Sequence, residues 1–274
     1  MRHRVLLEAH GGLKMPKVVA EIGPGDSIGV GLAALIAGAE RYYGFDVMAY
    51  SIPALEQQIF EELVELFAKE EPIPGEEEFP SIKPRLDSYA FPSHIFSKAY
   101  LKEVLLPERI ERLREALKGR NKDSTDIISY KVPWSEDHIL EPRSVDWIFS
   151  QAVLEHVEDL EQSYTAMANW LKPGGVTSHQ IDFRCHGASP FWNGHWAFSP
   201  FIWKLIKGSA LYLLNRKTYE DHVALMKKNG FHFCYEQRSI GENGLPVKKL
   251  AAAYRNLSAK NLETSGAFII GRIK

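Results

Sequence analysis

The run Val18-Val19-Ala20-Glu21-Ile22-Gly23-Pro24-Gly25-Asp26-Ser27-Ile28-Gly29 constrains this chain more than any other stretch. An apolar segment, Val18 to Ile22, ends in a turn that only small residues make, and a helix-like segment, Gly29 to Ala39, follows at once. The glycines let the backbone pass close to a ligand, and the free N–H groups opening the helix can hydrogen-bond it, so the ligand belongs at the strand's C-terminal edge. Asp46 closes the next apolar stretch, Tyr42 to Phe45. It stands roughly twenty residues after the loop, where a carboxylate accepts hydrogen bonds from ribose hydroxyls. A G-x-G-x-x-G dinucleotide fingerprint would need a third glycine where Ile28 stands. Glu21 and Asp26 also flank the loop, and two carboxylates repel a pyrophosphate but tolerate a cationic sulfonium. The pattern favours S-adenosylmethionine over NAD, with an NAD-dependent oxidoreductase and a non-catalytic cofactor-binding protein as the alternatives.

A second block, Ser144-Val145-Asp146-Trp147-Ile148-Phe149-Ser150-Gln151-Ala152-Val153-Leu154-Glu155-His156-Val157, is followed by Trp170-Leu171-Lys172-Pro173-Gly174-Gly175. Together with Glu21, Gly23, Gly25 and Asp46, these residues make the chain resemble the class I S-adenosylmethionine-dependent methyltransferases of the type often called 11. The resemblance implies an α/β, Rossmann-like methyltransferase fold: a seven-stranded, mostly parallel sheet with helices on both faces, here with a helical insertion after the second strand. It also implies a cofactor site at Glu21, Ile22, Gly23, Pro24, Gly25 and Ser27, at Asp46, Val47 and Met48, at Val132, Pro133 and Trp134, and at Ser150, Gln151 and Ala152. One departure stands out. Members of the family often carry an acid shortly before the Leu-Pro-aromatic step to bind the adenine amino group, whereas this chain has Ile128, Ser129 and Tyr130 before Val132-Pro133-Trp134, and Asp126 lies too early. Adenine is then held by backbone and packing. In the ubiquinone-biosynthesis O-methyltransferases a similar Glu-x-x-Glu-His segment is a metal site. Ala152 replaces its first Glu here, so no metal is expected.

A chain of 274 residues, 45% hydrophobic, fits a single domain with an insertion. Net charge is −2 with acids and bases mixed, which argues against a nucleic-acid or membrane partner and for a small-molecule substrate. Cys185 and Cys234 form neither a metal spacing nor a disulfide framework, which suggests a cytoplasmic setting. No apolar run reaches the length of a membrane span. Oligomeric state stays open, a homodimer included.

Residues 1–16 give no clear pattern and read as a lead-in, either folded over the cofactor or a flexible arm. Residues 52–123 are too long for an ordinary connection and read as a helical lid or cap, with Leu55, Ile59, Leu63, Leu66 and Phe67 at helical spacing. Lys172-Pro173-Gly174-Gly175 reads as a helix-stopping turn before a strand, Val176 to Phe183. Beyond that strand, Asp182, Trp192, His195 and Trp196 are candidate substrate contacts, because the strand's C-terminal end opens toward the crevice. Phe198 to Leu214 reads as a buried helix, Thr218 as a helix cap with Asp221, and Phe231–Arg238 and Ala267–Ile273 as closing strands. Methyl transfer to a small-molecule or sugar-type acceptor, on O or N, is the expected activity. A hydroxyl acceptor needs a base near neutrality, for which His156, His179 and His186 are the candidates.

Overall fold

The computed structural model describes residues 1–120, 127–134, 139–210 and 213–274. Seven strands, β1 (Val18–Ile22), β2 (Arg41–Phe45), β3 (Ile128–Lys131), β4 (Val145–Gln151), β5 (Leu171–Asp182), β6 (Phe231–Ile240) and β7 (Thr264–Ile273), form one sheet in the order β3-β2-β1-β4-β5-β7-β6. β1 to β5 are parallel, and β7 runs antiparallel between β5 and β6. The strand order reverses at β1. The chain first steps outward to β3 and then returns to β4, which opens a crevice beyond the C-terminal ends of β1 and β4.

The helices are α1 (Arg2–Leu6), α2 (Gly29–Ile36), α3 (Pro53–Ala68), α4 (Lys98–Val104), α5 (Pro107–Gly119), α6 (Leu160–Trp170), α7 (Pro200–Lys207), α8 (Tyr219–Lys228) and α9 (Ala259–Glu263). Alternation along the strands splits the core in two. Val19, Trp147 and Phe149 face a layer built from α1 to α5, while Ile22, Ile148 and Ile181 face α6 and α8. Local chemistry fixes the second layer. Asp159 caps α6 by accepting from the Gln162 N–H, and Thr218 with Asp221 forms the expected capping box on α8.

The insertion folds as α3, α4 and α5 joined by a long arch. The helical face of α3 is shifted from the apolar spacing in the sequence. Glu56, Phe60 and Phe67 are buried, whereas Leu55 and Leu66 are exposed. Glu56 is drawn inward by Arg120, whose Nε lies 2.9 Å from its Oε2 in a pair shielded from water. Arg109 donates to the carbonyls of Leu35 (2.6 Å), which also accepts from the Gly38 N–H (3.1 Å), and of Ala39 (3.2 Å), tying α5 to the end of α2. The arch then crosses α1, where Arg2 donates to the carbonyls of Pro74 (2.7 Å), Ile82 (2.6 Å) and Pro84 (3.2 Å). It reaches β6 through the Arg85 N–H on Gln237 Oε1 (2.8 Å).

Three sequence expectations differ from the structure. The lead-in is not a flexible arm: Arg2, Arg4, Leu6 and Leu7 are buried, the last two against the sheet's first layer. Lys172 to Gly175 do not precede the strand but bulge within it, since Leu171 already pairs with Val145 before Val176 pairs with Trp147. The stretch from Phe198 is not a buried helix. α7 buries Trp203 alone and exposes Phe201, Ile202, Leu205 and Ile206. Asp126, Leu211 and the last residues of the 52–123 insertion lie outside the described residues. Among the described residues, no helix is long and apolar enough to cross a membrane.

Candidate active site

The turn after β1 is set by two glycines in the left-handed region, Gly23 at φ +68° and Gly25 at φ +69°. A Cβ on Gly23 would meet Val153 at 2.6 Å, so the loop passes against the segment that follows β4. A Cβ on Gly25 would meet nothing within 4 Å and would project into open space, which leaves a cradle for a ligand. Asp46 locks this loop to the end of β2. Its Oδ2 accepts from the Gly25 N–H (3.1 Å) and its Oδ1 from the Val47 N–H (2.8 Å). Each oxygen keeps a further lone pair for a hydroxyl donor.

These elements border a cavity of about 710 Å³ beyond the C-terminal ends of β1, β2 and β4. That is the size of an ordinary small-molecule site. Of the expected cofactor residues, Gly23, Gly25, Asp46, Val47, Met48, Pro133, Trp134 and Ala152 line it. Trp134 is steadied by Phe45 and Trp170, with ring centroids at 6.2 and 6.3 Å. The opposite wall was not read from the sequence. It is the approach to α6 and its first turns, with Val157, Asp159, Gln162, Ser163 and Ala166. The signal for it lay in the small residues Ser163 and Ala166, three apart and so on one face of the helix.

The remaining expected cofactor residues sit elsewhere. Glu21 points into the first layer, where its Oε2 accepts from the Tyr42 hydroxyl (2.7 Å), and burial pushes its carboxyl up to about 8. Ser27 Oγ instead accepts from the Gly29 N–H (3.0 Å), within the turn that leads into α2. Ile22 is core, and Ser150 is fully buried. Pro24 and Val132 do not line the cavity, and Gln151 lines a second one. The acid expected to face a sulfonium is therefore not Glu21. Asp26, Asp46, Glu158 and Asp159 line the cavity in its place.

Burial separates the three histidines. His179 is enclosed, with Nδ1 2.7 Å from Ser150 Oγ and Nε2 against Thr177 Oγ1, and burial lowers its pKa to about 3. It faces neither cavity, which removes it as a base. His156 lines the cofactor cavity, and its ring centroid is 5.1 Å from that of His186. Asp182 Oδ2 lies 3.5 Å from His186 Nε2 and also takes Arg184 at 2.6 Å. Burial pushes the Asp182 carboxyl up, but His186 and Arg184 overcome it and hold the group well below the usual range. Glu155, His156 and His186 each offer a ligand atom within 4.8 Å of the others. The donor missing at Ala152 is thus matched by His186 from beyond β5, a convergence that spacing along the chain could not show.

Trp192, His195 and Trp196, expected at the substrate, are core instead. Trp192 and Trp196 pack with Leu250 in a satellite cluster, and His195 is buried against Trp196, its pKa lowered to about 3 chiefly by desolvation.

A second cavity, of about 760 Å³, lies on the first face of the sheet. Its floor is Val19, Trp147 and Phe149, and its walls come from α1, α2, α3 and the arch. It exists because α2 presents Ala33, Ala34 and Ala37 on that side, too small to fill the space. Gln151 lines this cavity and Ala152 the other, so the end of β4 stands between the two.

Residues 91–178 match a family model described as a methyltransferase domain. That match covers about a third of the chain and makes residues 91–178 similar to a methyltransferase domain. The match starts inside the insertion and omits the glycine turn, so that turn rests on its own geometry. A putative sarcosine dimethylglycine methyltransferase from Galdieria sulphuraria has the same fold, at a TM-score of 0.50 and 12% identity over 98% of this chain and 83% of that one. The Haloferax volcanii complex of the Trm112 activator with a putative methyltransferase gives 0.47 and 13%, over 99% and 88%. Phosphoethanolamine N-methyltransferase 2 of Haemonchus contortus, in complex with S-adenosyl-L-methionine, gives 0.46 and 16%, over 98% of this chain and 51% of that one. No protein of curated function matches the sequence.

Proposed function

We propose that the chain is an enzyme that methylates a small molecule, with the cofactor in the cavity between the glycine turn, Asp46, Trp134 and α6. The observation that carries this reading is the donor set of that cavity. Asp46 is buried, fixed by two backbone N–H groups, and retains acceptor capacity for ribose hydroxyls, while Asp26, Glu158 and Asp159 add an acidic lining that suits a sulfonium and opposes a pyrophosphate. Trp134, Met48 and Pro133 offer apolar surface for adenine without a side-chain acid, as expected from Ile128 to Tyr130.

When bound, the cofactor supplies an electrophilic methyl group. The protein's own part is to position the acceptor and exclude water. The Gly25 cradle and Asp46 fix one partner, and the end of β4 at Gln151 and Ala152 is where the second cavity delivers the other. For a hydroxyl acceptor, the His156 imidazole is the group placed to take the proton, with His186 and Asp182 behind it. The apolar walls of the second cavity favour an apolar acceptor over the sugar considered from the sequence.

The test is incubation with S-adenosylmethionine carrying a labelled methyl group and fractionated metabolite pools, reading S-adenosylhomocysteine and a labelled product together. Product formation that depends on Asp46 supports the reading. Cofactor binding with no acceptor in any fraction would favour a non-catalytic binding protein, and preferential NAD binding would favour an oxidoreductase.

A further inference from the structure

We propose that the second cavity binds a carboxylic acid with a long aliphatic chain, the chain on the sheet face and the carboxylate at Lys83. Three observations converge. The cavity runs from Pro16, ahead of β1, to Gly29, beyond its end, so it follows a strand of five residues, about 16 Å at the usual rise. Its walls are largely hydrocarbon, with Val19, Trp147 and Phe149 below, Ala34 and Ile59 beside and Phe79 above, and Arg2, Arg4, Glu71 and Glu78 also line it. An extended, largely apolar occupant with a charged end suits that lining.

Arg4 lies toward the Pro16 end, with Glu8 and the Lys14 carbonyl, and a second group of polar side chains sits at the end of β4. There a chain of hydrogen bonds leaves one spare donor among its members, the second N–H of the Gln151 amide. Trp147 Nε1–H donates to Ser178 Oγ (2.9 Å), Ser178 Oγ lies 2.9 Å from His3 Nδ1, His3 Nε2 lies 2.9 Å from Gln151 Oε1, and Gln151 Nε2–H donates to the Lys83 carbonyl (3.1 Å). Burial lowers the His3 pKa to about 4, so the ring is neutral and carries one proton, which the Gln151 oxygen takes. Charge at this end comes from the cations around it. Arg85 is paired with Glu76 at 3.1 Å, and Arg184 with Asp182. Lys83 lines the cavity, and among the described residues its ammonium makes no close ion pair, although the Glu76 carboxylate, shared with Arg2 and Arg85, acts on its charge from farther off. A part-buried ammonium whose nearby carboxylate is already shared with two arginines, beside a largely apolar cavity, suits an anionic head group on an apolar tail.

That such an acid is also the methyl acceptor rests on the methyl-transfer reading; its binding does not. A carboxylate needs no base. Its oxygen forms the bond to the methyl carbon as the carbon–sulfur bond breaks toward sulfur, the two charges cancel, and no proton moves.

The experiment is saturable fluorescence binding of cis-parinaric acid to the full chain, with displacement by dodecanoate and by dodecanol. Binding of S-adenosylhomocysteine is measured by calorimetry on the same samples. Expected are displacement by dodecanoate more effective than by dodecanol, and a loss of at least about tenfold in parinarate affinity for Lys83→Met. Loss for both Ala34→Phe and Leu66→Glu is also expected. Leu66 is exposed on the cavity wall, so that variant keeps the fold testable if Ala34→Phe does not fold. S-adenosylhomocysteine affinity should stay within about twofold in every folded variant. No saturable parinarate binding to the wild type, or an affinity unchanged by Lys83→Met and Leu66→Glu, overturns the proposal. Failure of S-adenosylhomocysteine to bind, with parinarate bound as expected, refutes the cofactor reading alone.

Discussion

Replacing Asp46 with alanine tests the cofactor site at its most determined point. The carboxylate makes two hydrogen bonds to backbone, at 3.1 Å to Gly25 and 2.8 Å to Val47, and has one lone pair left on each oxygen. If those two accept ribose hydroxyls, each charge-assisted bond contributes about 1.5 kcal/mol net, or about 3 kcal/mol together, which is roughly 150-fold in Kd. Asp46→Asn keeps one acceptor oxygen and should fall about halfway on the logarithmic scale. The control is Asp146→Ala. That acid holds the opposite end of β1, accepting from the N–H groups of Lys17 (3.0 Å) and Val18 (2.8 Å), so its loss should lower Tm and leave affinity unchanged. Calorimetry with S-adenosylhomocysteine reads the affinities, and thermal unfolding confirms the fold of each variant. Asp46→Ala binding within about threefold of wild type, with Tm preserved, would refute the placement of the ribose.

Other consequences follow from the interior. Breaking the buried Glu56–Arg120 pair by Glu56→Ala should cost about 3–5 kcal/mol, whereas Glu56→Met with Arg120→Met should recover much of that in the same denaturant titration. Glu21 is raised to about 8 by burial, so its contribution to stability is fully present below the unfolded value of 4.5 and is lost as pH rises toward 8. Glu21→Gln should flatten the fall in Tm across that window, and an unchanged slope would show that Glu21 is not buried uncharged. His179→Ala should destabilise by about 2–4 kcal/mol through its lost hydrogen bonds and the space left, yet keep S-adenosylhomocysteine affinity. A large loss of affinity without a change in Tm would return His179 to the site.

The strand, glycine turn and helix at the N-terminal end were legible because backbone geometry dictates residue type there: few sequences other than Gly23-Pro24-Gly25 allow two positive φ angles so close together. Asp46 was legible for a related reason, since its distance along the chain is fixed by one helix and one strand. Side-chain direction was less legible. Glu21 sits in the expected position, but β1 is buried on both faces, and Tyr42 gives its carboxyl a partner away from the ligand. The aromatic run at Trp192 to Trp196 illustrates the same limit, because composition alone does not distinguish a substrate loop from a satellite core. α7 failed in the other direction: Phe201, Ile202, Leu205 and Ile206 share a face that the fold leaves exposed, and only Trp203 finds a place inside. The second cavity left a trace in Ala33, Ala34 and Ala37, but a stripe of small residues usually marks close packing. It becomes a cavity only because the arch spans it, which is a matter of long-range contacts.

The most direct measurement is a crystal structure of the chain grown with S-adenosylhomocysteine. The ribose hydroxyls should lie within hydrogen-bonding distance of Asp46, with the adenine against Trp134 and the sulfur facing the end of β4 at Ala152. Density for the nucleoside in the alanine-walled cavity or on the outer surface, with the Asp46 cavity left to solvent, would contradict it.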